Sequence, residues 1–87
     1  MKDIKLEYSV GSDLNYEDLV ADIGYDTNLI ALLIQDEGFE NLRIRLYPPK
    51  NGEMYWDLNL KDFLAVIQDA KQRLWQLRKT DNTSNSN

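Results

Sequence analysis

The stretch 59–78 constrains the fold most, because it has the pattern of one long amphipathic helix. At about 100° per residue, its apolar side chains fall on one stripe of the helix surface. The stripe consists of Phe63, Ile67, Ala70, Leu74 and Leu77, and is widened by Leu60 and Val66. A helix with one apolar stripe has to bury that stripe against a second layer. The preceding chain is therefore expected to form a sheet that covers this face.

Both ends of the predicted helix carry the signals that such helices need. Asn59 can accept a hydrogen bond at the N-terminus, with Asp62 three residues later as in a capping box. Leu58 and Phe63 occupy the positions of a hydrophobic staple. Basic side chains are concentrated in the last turns, where the helix dipole favours positive charge. The helix therefore begins next to Asn59.

Four segments before the helix have the patterns of β-strands. Residues 3–10 and 41–47 alternate apolar and polar side chains, and the second predicts Leu42, Ile44 and Leu46 to face inward. The run 29–35 is apolar on both faces, as is typical of a central strand. Residues 14–25 fit both a helix and a strand, but the polar turn 26–28 favours a hairpin and hence a strand over 18–25.

A short fifth strand is predicted at 54–58, after an Asn51-Gly52 turn signal. The predicted fold class is α+β, an antiparallel β-meander of four to five strands with one long C-terminal helix packed on one face. At 87 residues the chain has room for one domain. We place this domain at 1–79 and assign the polar stretch 80–87 to a flexible tail.

The side-chain chemistry argues against an enzyme. The chain has no cysteine and no histidine, which removes thiolate chemistry, the commonest general base and the commonest zinc ligand. The remaining candidates are carboxylates in turns, where aspartate is common for conformational reasons. The four glycines are scattered and do not form a phosphate-binding loop. We therefore predict no catalytic residue, no metal site and no cofactor.

No apolar run approaches the ~18 residues of a membrane span, and the N-terminus lacks the apolar core of a signal peptide. We expect a cytoplasmic protein with no membrane partner. The patterns leave a monomer and a homodimer open, because Trp75 at the flank of the helix can cover the sheet edge or form an exposed binding or dimer patch.

Acidic side chains are concentrated in the first half of the chain. Residues 1–40 contain ten acids and two bases, whereas 41–87 contain five acids and eight bases. The acidic half would repel nucleic acid and attract a basic protein, although net charge also serves solubility. Arg43 and Arg45 are explained by cross-strand pairing with Asp18 and Asp22. Local charge density predicts seven partner-binding residues: Asp13, Glu17, Asp18, Asp22, Asp26, Asp36 and Glu37.

The stretch 36–74 also resembles a known family. The matching positions are Glu37-Gly38, Asn41-Leu42, Ile44, Leu46-Tyr47-Pro48, Gly52, Trp56, Ala70 and Arg73-Leu74. This pattern is similar to that of small acidic immunity proteins encoded beside bacterial polymorphic toxins, including those of contact-dependent growth inhibition systems. The resemblance covers about half of the chain, and its positions are mostly structural.

The resemblance implies a protein that is not an enzyme. It would bind the toxic domain of its cognate effector, expected to be a basic nuclease, and block the active site of that domain. The resemblance identifies no contact residues, so the seven acidic candidates depend on charge density alone. The alternative is an acidic interaction module, such as a phage-type nucleic-acid mimic that inhibits a host nucleic-acid-binding protein.

Overall fold

The protein folds as four strands followed by one long helix. A computed structural model describes residues 4–50 and 52–85, with the helical side chains described up to Leu77. The four strands pair antiparallel in chain order, and one turn of 3₁₀ helix, Phe39–Asn41, precedes the last of them. The predicted α+β class is confirmed. The elements are β1 (Glu7–Gly11), β2 (Val20–Tyr25), β3 (Asn28–Ile34), β4 (Arg43–Leu46) and α1 (Leu60–Asn85).

The β2–β3 hairpin is the centre of the sheet and confirms the strand predicted over 18–25. Its two-residue turn places Asp26 at a φ of 54°, a conformation that Asp tolerates better than most residues. The register shifts by one residue between Ile23 and Gly24, which is a β-bulge. The bulge brings Ile30 and Ala31 into the same buried cluster, although they are neighbours in sequence.

The main core lies between the sheet and α1. The predicted helix stripe is confirmed at its centre, because Val66, Ala70 and Leu74 are buried there. Phe63 and Ile67 pack at the margin of this core. Leu60 is the exception, since it is 68% exposed at the first helical residue. The sheet contributes Ala21, Ile23, Ile30, Ala31 and Leu33.

The opposite face of the sheet has a smaller core. Val20, Leu32 and Ile34 are buried there, and Tyr16 and Tyr47 pack against them. Because β3 contributes to both cores, the prediction that 29–35 is a central strand is confirmed. Its burial on both faces explains why its sequence is apolar without alternation.

Arg45 also lies on this face, and its partner differs from the predicted one. Its Nη1 donates a hydrogen bond of 2.7 Å to the Tyr16 hydroxyl, and its guanidinium carbon lies 5.8 Å from the Tyr16 ring centre. The prediction that Arg43 and Arg45 pair across strands with Asp18 and Asp22 is wrong, because β3 separates β4 from β2.

The inward side of β4 was also predicted wrongly. Ile44 and Leu46 are 44% and 65% exposed, although they lie opposite Leu33 and Ala31, which are buried under α1. The helix contacts mainly β1 and β2, and all four residues of β4 are exposed. Only Leu42, just before the strand, packs against the core as expected.

The fifth strand predicted at 54–58 is not formed. Trp56 instead donates its indole N–H to the Tyr47 carbonyl at 2.8 Å and meets the Tyr25 ring edge-on at 5.9 Å between centroids. This side-chain anchor takes the place of a strand ladder. Gly52 has a φ of 91°, and Asn51, the other half of the predicted turn, lies outside the described residues.

The cap at the start of α1 is confirmed, because the Asp62 N–H donates to Asn59 Oδ1 at 3.0 Å. The helix continues to Asn85, into the stretch predicted to be a tail. Extending an existing helix adds one hydrogen bond per residue and avoids the cost of nucleation, which is why polar residues can prolong it. Residues 86–87 of that tail, and Asp3 of the first predicted strand, lie outside the described residues.

Candidate functional site

Five of the seven predicted acids come together at one end of the sheet. The register pairs Gly11 with Val20 and Val20 with Ile34. The connection after β1 and the turn after β3 therefore lie at the same end of the sheet. These two connections carry the acids, and we call this surface the acidic end. It consists of Asp13, Glu17, Asp18, Asp36 and Glu37.

Asp36 joins the two connections. Its Oδ1 accepts the N–H of Asp18 at 3.0 Å and that of Glu17 at 3.2 Å, and its Oδ2 accepts the Glu17 N–H, also at 3.2 Å. Hydrogen bonds from backbone amides to a carboxylate are stronger than neutral ones, so this contact organises the loop. Asp36 therefore acts by positioning Glu17 and Asp18.

The rest of the first connection is a compact turn around Asp13. Its Oδ1 accepts the Asn15 N–H at 2.8 Å, and its carbonyl accepts the Tyr16 N–H at 3.0 Å. Glu17, Asp18 and Glu37 are exposed at the surface. The acidic end thus presents solvent-facing carboxylates on a loop that is held by hydrogen bonds.

The two remaining predicted acids lie in different places. Asp22 is on β2, on the same sheet face as Tyr16. Its pKa is raised above the ordinary value of 3.8, mainly because the carboxyl is partly desolvated and secondly because of the nearby negative charge of Asp13. Asp22 is therefore close enough to Asp13 to extend the acidic end. Asp26 lies in the β2–β3 turn at the opposite end of the sheet, so the structure separates it from the others.

The raised pKa of Asp22 predicts a pH effect on stability. The folded protein keeps this proton to higher pH than the unfolded chain, so ionisation of Asp22 destabilises the fold as pH rises above 3.8. We expect Asp22→Asn to stabilise the protein more at pH 7 than at pH 3, because at pH 3 the aspartic acid is neutral like the asparagine that replaces it. Urea denaturation at the two pH values measures this difference. A difference that does not change with pH would contradict the assigned environment.

Gln35 supports the acidic end from behind and was missed by sequence reasoning. It is 2% exposed, and its Nε2 donates to the Leu19 carbonyl at 3.0 Å, which ties the end of β3 to the start of β2. Its Oε1 is buried without a partner among the described residues. A polar residue that ends a fully apolar run is the sequence signal that could have identified it.

An aromatic pair borders the acidic end. The rings of Phe39 and Trp75 lie 5.2 Å apart, and Trp75 remains 43% exposed. Phe39 follows Glu37 by two residues, so this apolar surface adjoins the acidic one. Trp75 therefore packs against the 3₁₀ turn that precedes β4 and keeps part of its ring at the surface.

The acidic end presents exposed carboxylates at the protein surface. Among the described residues, no group of three or more acidic side chains is placed to hold a metal ion. In the same part of the chain, no helix is long and apolar enough to cross a bilayer. The chemistry that this surface can supply is electrostatic attraction of cations and hydrogen-bond acceptance.

Fold and site together define a small α+β domain that displays an acidic surface at one end of its sheet. Comparison of the chain with protein-family models, curated proteins and solved structures gave no match.

Proposed function

We propose that this protein binds a basic partner protein through its acidic end and blocks a functional surface of that partner. The observation that carries the proposal is the joining of two acidic connections by the carboxylate of Asp36. Because the loop is already ordered by these bonds, binding would cost little conformational entropy. Concentrated negative charge would also accelerate encounter with a basic surface.

The form of this activity that we propose is neutralisation of a toxin domain. It is supported by the resemblance of 36–74 to small acidic immunity proteins and by the net charge of −5. A nuclease needs a basic groove for its phosphate-bearing substrate, and an acidic protein can occupy the same groove. Specificity for one toxin would come from the placement of charges and from a few buried aromatic contacts.

The direct test uses the product of the adjacent upstream gene. We expect the purified protein to retain that product in a pull-down, and its expression to protect cells that produce the toxic domain. Failure to bind together with failure to protect would contradict the proposal. Binding without protection would leave a protein-binding function and exclude toxin neutralisation.

Charge reversal tests whether the acidic end is the binding surface. We expect Glu17→Lys with Glu37→Lys to slow association by about tenfold or more at low salt and to weaken its salt dependence, because the encounter is steered by charge. Asp36 is left intact because it holds the backbone of the loop. Stopped-flow association kinetics at several salt concentrations measures the effect.

The matched control is Glu7→Lys with Asp57→Lys. Both residues are exposed and lie toward the other end of the domain, where Glu7 pairs with Gly24 and Asp57 follows Trp56. The control changes the net charge by the same amount. An equal loss of association rate in both variants would assign the effect to overall charge and remove the acidic end as the interface.

A further inference from the structure

The outer edge of β4 is an open side of the sheet. In the described part of the chain β4 pairs with β3 on one side and has no strand on the other. The Tyr47 N–H donates to the Ile30 carbonyl, and backbone groups alternate in direction along an antiparallel strand. The N–H and C=O groups of Arg43 and Arg45 therefore face β3. Those of Ile44 and Leu46 face outward.

The side chains of the same two residues are apolar and exposed. Ile44 is 44% exposed and Leu46 65% exposed, on the face of the sheet where α1 packs mainly over β1 and β2. An edge strand with free backbone groups and exposed apolar side chains is a template for pairing with another strand. This combination singles out the edge as a surface that a partner could complete.

The other face of β4 carries two positive charges. Arg43 and Arg45 lie opposite Ile34 and Leu32, so the neighbouring strand supplies no carboxylate to them. The first acid on this face is Asp22, one strand further away. The charge of Arg45 is held in place by Tyr16 but is not neutralised by it. An added strand would therefore meet apolar side chains on one face and arginines on the other.

These charges select against a second copy of the same edge. Two β4 strands paired with their faces aligned would bring arginine opposite arginine, which is unfavourable. Pairing of β4 with β1 of another copy would leave one free edge at each end of the assembly and grow without closing. A different chain with acidic residues in place of the arginines avoids both problems.

We infer that β4 accepts an extended segment of a partner in which apolar residues alternate with acidic residues. The apolar side chains would cover Ile44 and Leu46, the acids would pair with Arg43 and Arg45, and the backbone would bond to the outward groups of the strand. This surface has the opposite charge to the acidic end. The inference does not depend on the proposed function, and either can fail alone.

The experiment uses the full chain, isotope-labelled for NMR, and synthetic peptides as probes. A short peptide with alternating valine and glutamate is expected to shift the amide signals of Ile44 and Leu46 most, in a saturable manner. The same peptide with lysine in place of glutamate is expected to cause no such shifts. A glutamate peptide with alternate backbone nitrogens methylated is expected to bind at least about tenfold more weakly, because it cannot complete the ladder.

Charge-reversed variants provide the matched test. The double variant Arg43→Glu with Arg45→Glu is expected to bind the glutamate peptide about tenfold or more weakly and to bind the lysine peptide, which the unaltered protein does not. Arg43→Glu alone, which leaves the Arg45–Tyr16 contact intact, is expected to change affinity in the same direction. Lys5→Glu with Lys61→Glu alters the net charge equally at other exposed positions and is expected to leave binding unchanged.

Four results would overturn the inference. They are equal shifts with both peptides, shifts centred away from β4, absence of any saturable shift, and concentration-dependent shifts of the β4 amides without peptide. The last result would show that a second copy occupies the edge.

Discussion

Replacing Leu74 by alanine is expected to lower the free energy of unfolding by roughly 2–5 kcal/mol. Leu74 is fully buried, and it packs in the core that joins α1 to the sheet. The truncated side chain would leave a cavity that the surrounding sheet cannot fill without moving. Because a small domain has only about 5–15 kcal/mol of stability, the loss would unfold a large fraction of the protein on mild heating.

The matched control is Leu64→Ala, the same substitution on the same helix. Leu64 is 55% exposed, so its loss is expected to cost less than about 1 kcal/mol. Urea denaturation followed by circular dichroism measures both variants. Similar costs for the two substitutions would mean that α1 buries a different face from the one described.

Gly24→Ala is expected to destabilise the β2–β3 hairpin by roughly 1–3 kcal/mol or more. A Cβ at this position would lie 2.1 Å from the backbone oxygen of Asn28, which is far inside van der Waals contact. The obstacle is backbone rather than a flexible side chain, so the turn itself has to move. Because Gly24 adjoins the bulge, we also expect the amide signals of the β2–β3 ladder to shift.

Gly11→Ala is the control for this substitution. A Cβ on Gly11 would meet nothing within 4 Å, although this residue also lies in a strand of the same sheet. The change is expected to be neutral or to stabilise by about 0.4–1 kcal/mol through the unfolded state. Thermal unfolding of both variants tests the pair, and an equal loss in each would contradict the close approach at Gly24.

Sequence periodicity predicted the elements that depend on near neighbours. The stripe centred on Ala70 and Leu74, the cap by Asn59 and the apolar strand β3 all follow from residues a few positions apart. Such signals are local, since a helix brings residues i and i+4 together and a strand alternates its faces. They indicated an α+β meander without any knowledge of how its elements pack.

Errors arose where a side chain's position depends on a distant element. Ile44 and Leu46 have the pattern of a half-buried strand, but the helix that would cover them lies over β1 and β2. The sequence pattern predicts Trp56 in a fifth strand, but its indole N–H donates to the Tyr47 carbonyl and residues 54–58 do not pair with the sheet. Neither outcome is encoded in a spacing along the chain.

The candidate site shows the same difference between what local sequence signals predict and what long-range packing decides. Charge density identified the acids, but it grouped Asp26 with residues at the other end of the sheet. It also gave no sign that the carboxylate of Asp36 accepts hydrogen bonds from the loop that carries Glu17 and Asp18. Pairing register decides which turns share an end of the sheet, and register is not visible in composition.

The sequence by itself therefore determined the class of fold, the long helix with its N-terminal cap, and the excess of acid in the first half. Only the tertiary structure decided that the two acidic connections meet, that Gln35 supports them from within the core, and that β4 is an edge strand of the described sheet. The physical reason is the distance along the chain over which each effect acts. Periodicity, capping and charge density act over a few residues, whereas strand register and helix placement depend on packing between residues far apart in the chain.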